Sequence, residues 1–261
     1  MIVFAGPSLA GQQISGNSRL DIRDPVRQGD VYLATLERPS AIGIIDGYFE
    51  GVPSVWHKEI LWAMSQGIPV LGAASMGALR ASELDTFGMI GIGVVYEAFR
   101  DGHLEDDDEV ALVHAPEEMG YVALSVAMVN VRATCMAAAG SGLISNSQAD
   151  FVIERAKAQF YKNRTWDSIL RGADPEILPL NSVTNLRHWI DAHEVDQKGV
   201  DALLLLKRMA QSDFGTRAAQ FHFEQTDLWI QTTDVWRRRE REEVVHHEAG
   251  YRLLGNMDLL R

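Results

Sequence analysis

The first hundred residues alternate short apolar runs with longer amphipathic ones, a pattern that predicts an α/β domain. Ile2 to Ala5 reads as a strand that breaks at Gly6-Pro7. Ala41 to Ile45 reads as a second, ending at Asp46-Gly47, and Pro69 to Leu71 as a third, running into Gly72-Ala73-Ala74-Ser75. Continuous apolar strands separated by helices imply a mainly parallel sheet buried on both faces. A helix over about 55–66 follows Pro53, with Ser54 as its expected N-cap, and stops at Gly67. A second helix, over about 76–84, carries Gly77, Ala78 and Ala81, small residues that let its axis approach the sheet closely. Beyond Gly102 an acidic cluster, Glu105 to Glu109, precedes the apolar run Val110 to Val113; this predicts a turn feeding another strand.

From Gly120 onward the period becomes helical, with helices expected near 121–139, 147–162, 165–171, 183–192 and 196–212. Ser147 and Thr165 supply polar starts. The last fifty residues are aromatic and highly charged, which suits a helical tail that packs against a partner. The chain therefore divides into a Rossmann-like α/β core over 1–120, a helical region packed on it over 121–212, and a C-terminal tail over 213–261. The fold class is α/β, a parallel sheet with flanking helices followed by a helical C-terminal region.

Composition narrows the function classes. The formal net charge is −12, and such a surface repels phosphate backbones, which argues against nucleic-acid binding. A single cysteine, Cys135, sits in an apolar run, so neither an intramolecular disulfide nor a cysteine-rich zinc site is available. The N-terminal stretch lacks the basic residues of a signal peptide and meets Gly6-Pro7 early. The weakly charged stretch 121–144 carries Asn130 and Arg132 near its centre, which reads as a buried helix and not a membrane span. A cytoplasmic protein without a membrane segment is expected.

Two stretches carry candidate chemistry. In Gly72-Ala73-Ala74-Ser75-Met76-Gly77-Ala78-Leu79-Arg80 a strand turns through small residues into a helix. Such a turn presents Ser75 at the carboxyl edge of the sheet, as in a nucleophile elbow, with the N–H groups of Met76 and Gly77 placed to hold an oxyanion. A serine before a helix is also an ordinary N-cap. The second stretch runs from Asp46 to Glu59. In it Lys58 has Ser54, Leu61 and Trp62 at helical spacing; an apolar wall of that kind lowers a lysine's pKa toward the neutral amine that a serine nucleophile needs as its base. A surface lysine pairing with a carboxylate is the plainer reading. His57 is the rival base, and a partly buried structural histidine fits it equally well. Asp46, at a strand end, either orients Lys58 or His57 or forms a simple Asp-Gly turn. Tyr48 and Glu50 are weaker candidates. No cofactor and no metal is called for: His246-His247-Glu248 places adjacent histidines on different faces of one helix.

The string DGYFEGVPSVWHKEILWAMSQGIPVLGAASMGALRASEL resembles the core signature of the TfuA family, and GHLEDDDEVALVHAP and SVAMVNVRA resemble it further. That resemblance implies a partner of YcaO enzymes, which activate a backbone amide with ATP so that sulfur can replace its oxygen. Family members are understood to release sulfide from a thiocarboxylated ThiS-type carrier, using a serine and a lysine; carried over, these match Ser75 and Lys58. Where family members often have serine this chain has Ala74, so Ser75 is the sole hydroxyl of the turn. Arg80, one turn into the helix, is either the cation that assists attack on an anionic thiocarboxylate or a structural ion pair. Asp107, Asp108 and Glu109 fall in a matching segment, which hints at a partner interface; a solvated turn is the alternative. Two readings of other classes stand beside the hydrolase. One is a non-catalytic adaptor that brings a precursor peptide to the YcaO enzyme, with the tail serving for docking. The other is a nucleotide-binding domain using the Gly6–Gly11 turn or the Ser75 turn to cradle phosphate, neither of which has the usual phosphate-loop spacing.

Overall fold

The computed structural model describes residues 1–12, 19–215 and 219–241. Five strands form one fully parallel sheet: β1 (Ile2–Phe4), β2 (Asp21–Arg23), β3 (Ile42–Ile44), β4 (Val70–Ala73) and β5 (Ile90–Ile92), in the order β2-β1-β3-β4-β5. The chain reverses its direction of growth between β1 and β3. In doubly wound sheets the crevice at the carboxyl ends beside such a switch point is where ligands bind.

Alternating strand residues divide between two helical layers, as a sheet buried on both faces requires. Ile2, Phe4, Ile42, Ile44 and Val70 pack with α1 (Asp30–Leu36), α2 (His57–Ser65) and α3 (Met76–Leu84). Val3, Ile45, Leu71 and Ala73 pack with Ala202, Leu205, Leu206 and Met209 of α9 (Gln197–Gln211). The helix α4 (Val94–Arg100) follows β5, and Asp201 of α9 is buried against its start, accepting the Val95 N–H at 2.8 Å. A separate apolar cluster unites α5 (Met128–Gly140), α6 (Asn146–Lys157), α7 (Trp166–Leu170) and α8 (Leu180–His193). Residues 227–241 form a last helix, α10, whose Trp229 and Trp236 pack on Tyr32. The aromatic positions of the tail are thus turned onto the core; His246-His247-Glu248 lies outside the described residues. Cys135 is buried in α5, and burial pushes its thiol up to about 12. Among the described residues no helix is long and apolar enough to cross a membrane.

The close contact of α3 with the sheet needs its glycine. A Cβ on Gly77 would lie 1.8 Å from the Ile44 carbonyl oxygen, and one on Gly72 would lie 2.0 Å from the Gly77 oxygen. Both clashes are with backbone, which cannot swing aside. Gly77→Ala is therefore expected to destabilise the protein by about 3 kcal/mol or more, read as a lowered urea midpoint.

Three local expectations are corrected. Ser54 does not cap α2; its hydroxyl donates to the Tyr48 carbonyl at 2.9 Å, and the helix starts after Trp56, whose N–H is taken by the Glu59 carboxylate. Ser145, not Ser147, caps α6, accepting the Gln148 N–H. Val110 to Val113 is not a strand. Its backbone bonds are mixed instead of a ladder: the Val110 carbonyl accepts from the Ser75 and Lys198 side chains and the Val113 N–H donates to the Ser125 hydroxyl, while the Val113 carbonyl accepts the Leu124 N–H.

Candidate active site

β4 runs into α3 through a tight turn. The Ser75 N–H returns to the Ala73 carbonyl at 2.7 Å, two residues back, and Ala74 between them has φ of +65°. A γ-turn with positive central φ is rare and strained for a residue carrying a Cβ. Ser75 follows at the N-cap of α3, but its hydroxyl makes no capping bond; it points to the Val110 carbonyl at 3.4 Å. The side chain that a simple cap would spend on its own helix is aimed across at another segment.

That segment closes a cavity of about 260 Å³ over the carboxyl ends of β1, β3 and β4. Ser75, Asp46, Val110, His114, Tyr161, Lys162 and Lys198 all contribute to its wall. Lys198, in the first turn of α9, donates from Nζ to the same Val110 oxygen at 2.8 Å. Ser75 and Lys198 thus converge on one carbonyl. Burial pushes the Lys198 ammonium below the ordinary lysine range, with Asp46 and Asp196 opposing that shift. Asp46 is the nearer of the two, 4.0 Å from Nζ. Its carboxylate is held by three donors: Oδ2 accepts the Gly6 and Ser8 N–H groups at 2.9 Å, and Oδ1 accepts the Ser8 hydroxyl at 2.6 Å. The Gly6–Gly11 turn therefore spends its N–H groups on Asp46 instead of presenting them to a phosphate.

The Val110 carbonyl is held in place by charge. Glu109 is buried and takes a bidentate pair from Arg132 at 2.8 and 2.9 Å, with Lys157 beside it. Burial alone would raise the Glu109 carboxyl; the hydrogen bonds from Arg132 and Lys157 hold it below its usual value. Asp108 pairs with Lys157 and with the fully buried Arg164. Asp108 and Glu109, expected at a partner interface, are instead the clamp that fixes the turn over Ser75; Asp107 alone of the three stays exposed.

The other expected site residues lie apart. Lys58 does not line the Ser75 cavity; its Nζ donates to the Thr226 hydroxyl at 3.1 Å and sits 5.5 Å from the centre of the Phe223 ring. His57 Nε2 is 2.7 Å from Glu83, half exposed. Arg80 pairs with the same Glu83 at 2.7 Å and donates to the Val55 carbonyl, the structural ion pair of its two readings. Burial would raise the Glu83 carboxyl, but His57 and Arg80 together keep it low. The Gly77 N–H donates to the Ile45 carbonyl at 3.2 Å and is not available to an oxyanion. The Met76 N–H has no acceptor among the described residues and is the free donor at this helix start.

Lys198 and Val110 went unnoticed in the sequence. A signal for the lysine exists: Lys198 falls in helical register with Ala202, Leu205 and Met209, the stripe that α9 buries against the sheet. A lysine on an apolar stripe is a buried charge, and buried charges mark sites.

No curated protein matches the chain closely enough to count as a relative. Residues 46–165 match the family model described as TfuA-like protein, a span holding Asp46, Ser75 and Val110 but not Lys198. Over that segment, a little under half of the chain, the sequence is similar to the TfuA-like family.

Proposed function

We propose that the protein is an acyl hydrolase in which Ser75 is the nucleophile and Lys198 its base, and that it releases sulfide from a thiocarboxylated ThiS-type carrier for a YcaO enzyme that places sulfur in a precursor peptide backbone. The observation that carries this reading is the convergence of the Ser75 hydroxyl and the buried Lys198 amine on the Val110 carbonyl. The strained turn at Ala74 adds to it, because strain of this kind is kept where a side chain must be aimed.

The chemistry balances without a cofactor. Neutral Lys198 takes the Ser75 proton as Oγ bonds to the carrier's thiocarboxylate carbon, and the Met76 N–H faces the developing oxyanion. Lys198 returns the proton to sulfur, the C–S bond breaks, and hydrosulfide leaves. Water then attacks the acyl-serine, Lys198 takes one of its protons and passes it to Ser75, and the carrier departs as a carboxylic acid that gives its remaining proton to solvent. The Val110 carbonyl anchors the amine beside the hydroxyl by one of its hydrogens.

Incubating the protein with thiocarboxylated carrier and measuring free sulfide tests the reading; an acyl adduct on Ser75 in mass spectrometry is the expected intermediate, and no sulfide above the buffer rate would contradict it. A pH profile follows as well. The active form has Lys198 neutral, so the single-turnover rate is expected to rise with pH through an apparent pKa below the ordinary lysine value of about 10.4. A rate flat across the acid and neutral range would remove Lys198 from the role.

A further inference from the structure

An anionic acyl end needs a cation to draw it into the cavity, and the residues assigned so far offer none. Asp46 is negative, Lys198 must be neutral to act, and Arg80 is turned away to Glu83. Among the described residues of the cavity wall one further lysine remains, Lys162. It stands in the turn Tyr161–Asn163 between α6 and α7, on rigid backbone. Arg164, the first residue after that turn, is fully buried, donates to the Ala156 and Gln159 carbonyls and to Asp108, and its carbonyl accepts the Val126 N–H at 2.7 Å. The Lys162 side chain is by contrast 44% exposed, and its ammonium pairs with Glu50 across the cavity mouth. Glu50 belongs to the loop that begins at Asp46, and Lys162 and Tyr161 hold its carboxyl below its usual value. Exposed pairs of this kind are weak and exchange readily. A carboxylate already sits where an incoming carboxylate or thiocarboxylate would have to bind.

We infer that Lys162 is the specificity-determining cation of the cavity: the anionic end of the acyl donor replaces Glu50 on the Lys162 ammonium, and neutral acyl ends gain nothing there. Glu50 then occupies the place of the substrate anion and competes with it. This rests on the acyl-transfer reading of the Ser75 cavity and adds to it the charge of the substrate. The two partners of the pair must act in opposite directions, which a merely structural ion pair would not produce.

Binding to the full chain carrying Ser75→Ala tests the assignment without turnover. The probes are a glycine-terminated pentapeptide with a free carboxylate and the same peptide as its C-terminal amide, followed by calorimetry. The carboxylate is expected to bind about tenfold more tightly than the amide. Adding Lys162→Met is expected to erase that preference and leave amide binding unchanged, while adding Glu50→Gln is expected to strengthen carboxylate binding several-fold. Both positions are largely solvent-facing, so thermal melts are expected to match the parent and to confirm a folded protein. A carboxylate preference that is absent at the outset, that survives Lys162→Met, or that weakens with Glu50→Gln overturns the inference. The hydrolase reading fails separately: charge discrimination lost with Lys162→Met, in a wild type that releases no sulfide, supports Lys162 and removes the hydrolysis. Sulfide release with discrimination indifferent to Lys162 does the reverse.

Discussion

Replacing Lys198 by methionine is expected to abolish sulfide release, by about a thousandfold or more, while making the folded protein more stable. Both effects have one cause. Lys198 is fully buried, and burial outweighs the opposing pull of Asp46 and Asp196, so its charged form is disfavoured and folding must strip a proton from the amine or bury the charge at a cost. The sign follows from proton counting. Between the lowered folded pKa and the ordinary value of about 10.4, the unfolded chain binds more protons than the folded one, so stability rises with pH through that window. Methionine has similar length, carries no charge, and removes that cost. It leaves little unpaired behind it, because the Val110 carbonyl keeps the Ser75 hydroxyl and Asp46 keeps its three donors. Swapping buried ionic groups for apolar ones of similar volume is commonly neutral or stabilising by about 1–4 kcal/mol. The check is a melting temperature at pH 7 and again near pH 10. The variant is expected to melt higher than wild type at the lower pH, with the gap closing at the higher. A lysine kept for packing would give the opposite, a variant that melts lower at both.

Ser75→Ala is expected to lose sulfide release to the same extent, about a thousandfold or more, with the fold intact. The hydroxyl makes no capping bond to α3, and its contact with the Val110 carbonyl is long at 3.4 Å, so little stability is at stake. Alanine also leaves Lys198 its bond to the same carbonyl. The double variant Ser75→Ala with Lys198→Met is expected to be no slower than either single one, because residues acting as one unit are not additive. Losses that multiplied would mean that the two side chains act independently.

The parallel sheet and its helices were legible in the sequence where burial was complete. β1, β3 and β4 are runs of apolar residues, and Met76–Leu84 starts and stops at the predicted places. β2 and β5 were not legible, for different reasons. Asp21-Ile22-Arg23 is an edge strand with both ends solvated, so it lacks an apolar run. β5 repeats the Ile-Gly-Ile of β3, but it is only partly buried and meets Gly93 at once, so its apolar run is shorter than the Ala41–Ile45 run around β3. The Val110–Val113 run misled in the other direction: apolar and β-branched residues can be buried as a cap over a site as well as in a sheet.

The site divides in the same way. Ser75 and Asp46 were legible because each sits at the end of a strand, where chain topology fixes position. The lysine was not. Lys58 is near Ser75 in sequence, and the helix α2 does begin near the sheet's carboxyl edge, but its ammonium lies over Phe223. Lys198 is far along the chain and arrives only because α9 returns to cover the second face of the sheet. No local spacing encodes such a meeting. What encodes it is the conflict between a charged residue and the apolar stripe on which it stands.

The most direct test of the Ser75–Lys198 pairing is the single-turnover rate of sulfide release from thiocarboxylated carrier for wild type, Lys198→Met and Lys58→Ala. The pairing predicts a Lys198 variant slower by about a thousandfold and a Lys58 variant within about threefold of wild type. An inactive Lys58 variant beside an active Lys198 variant would contradict it.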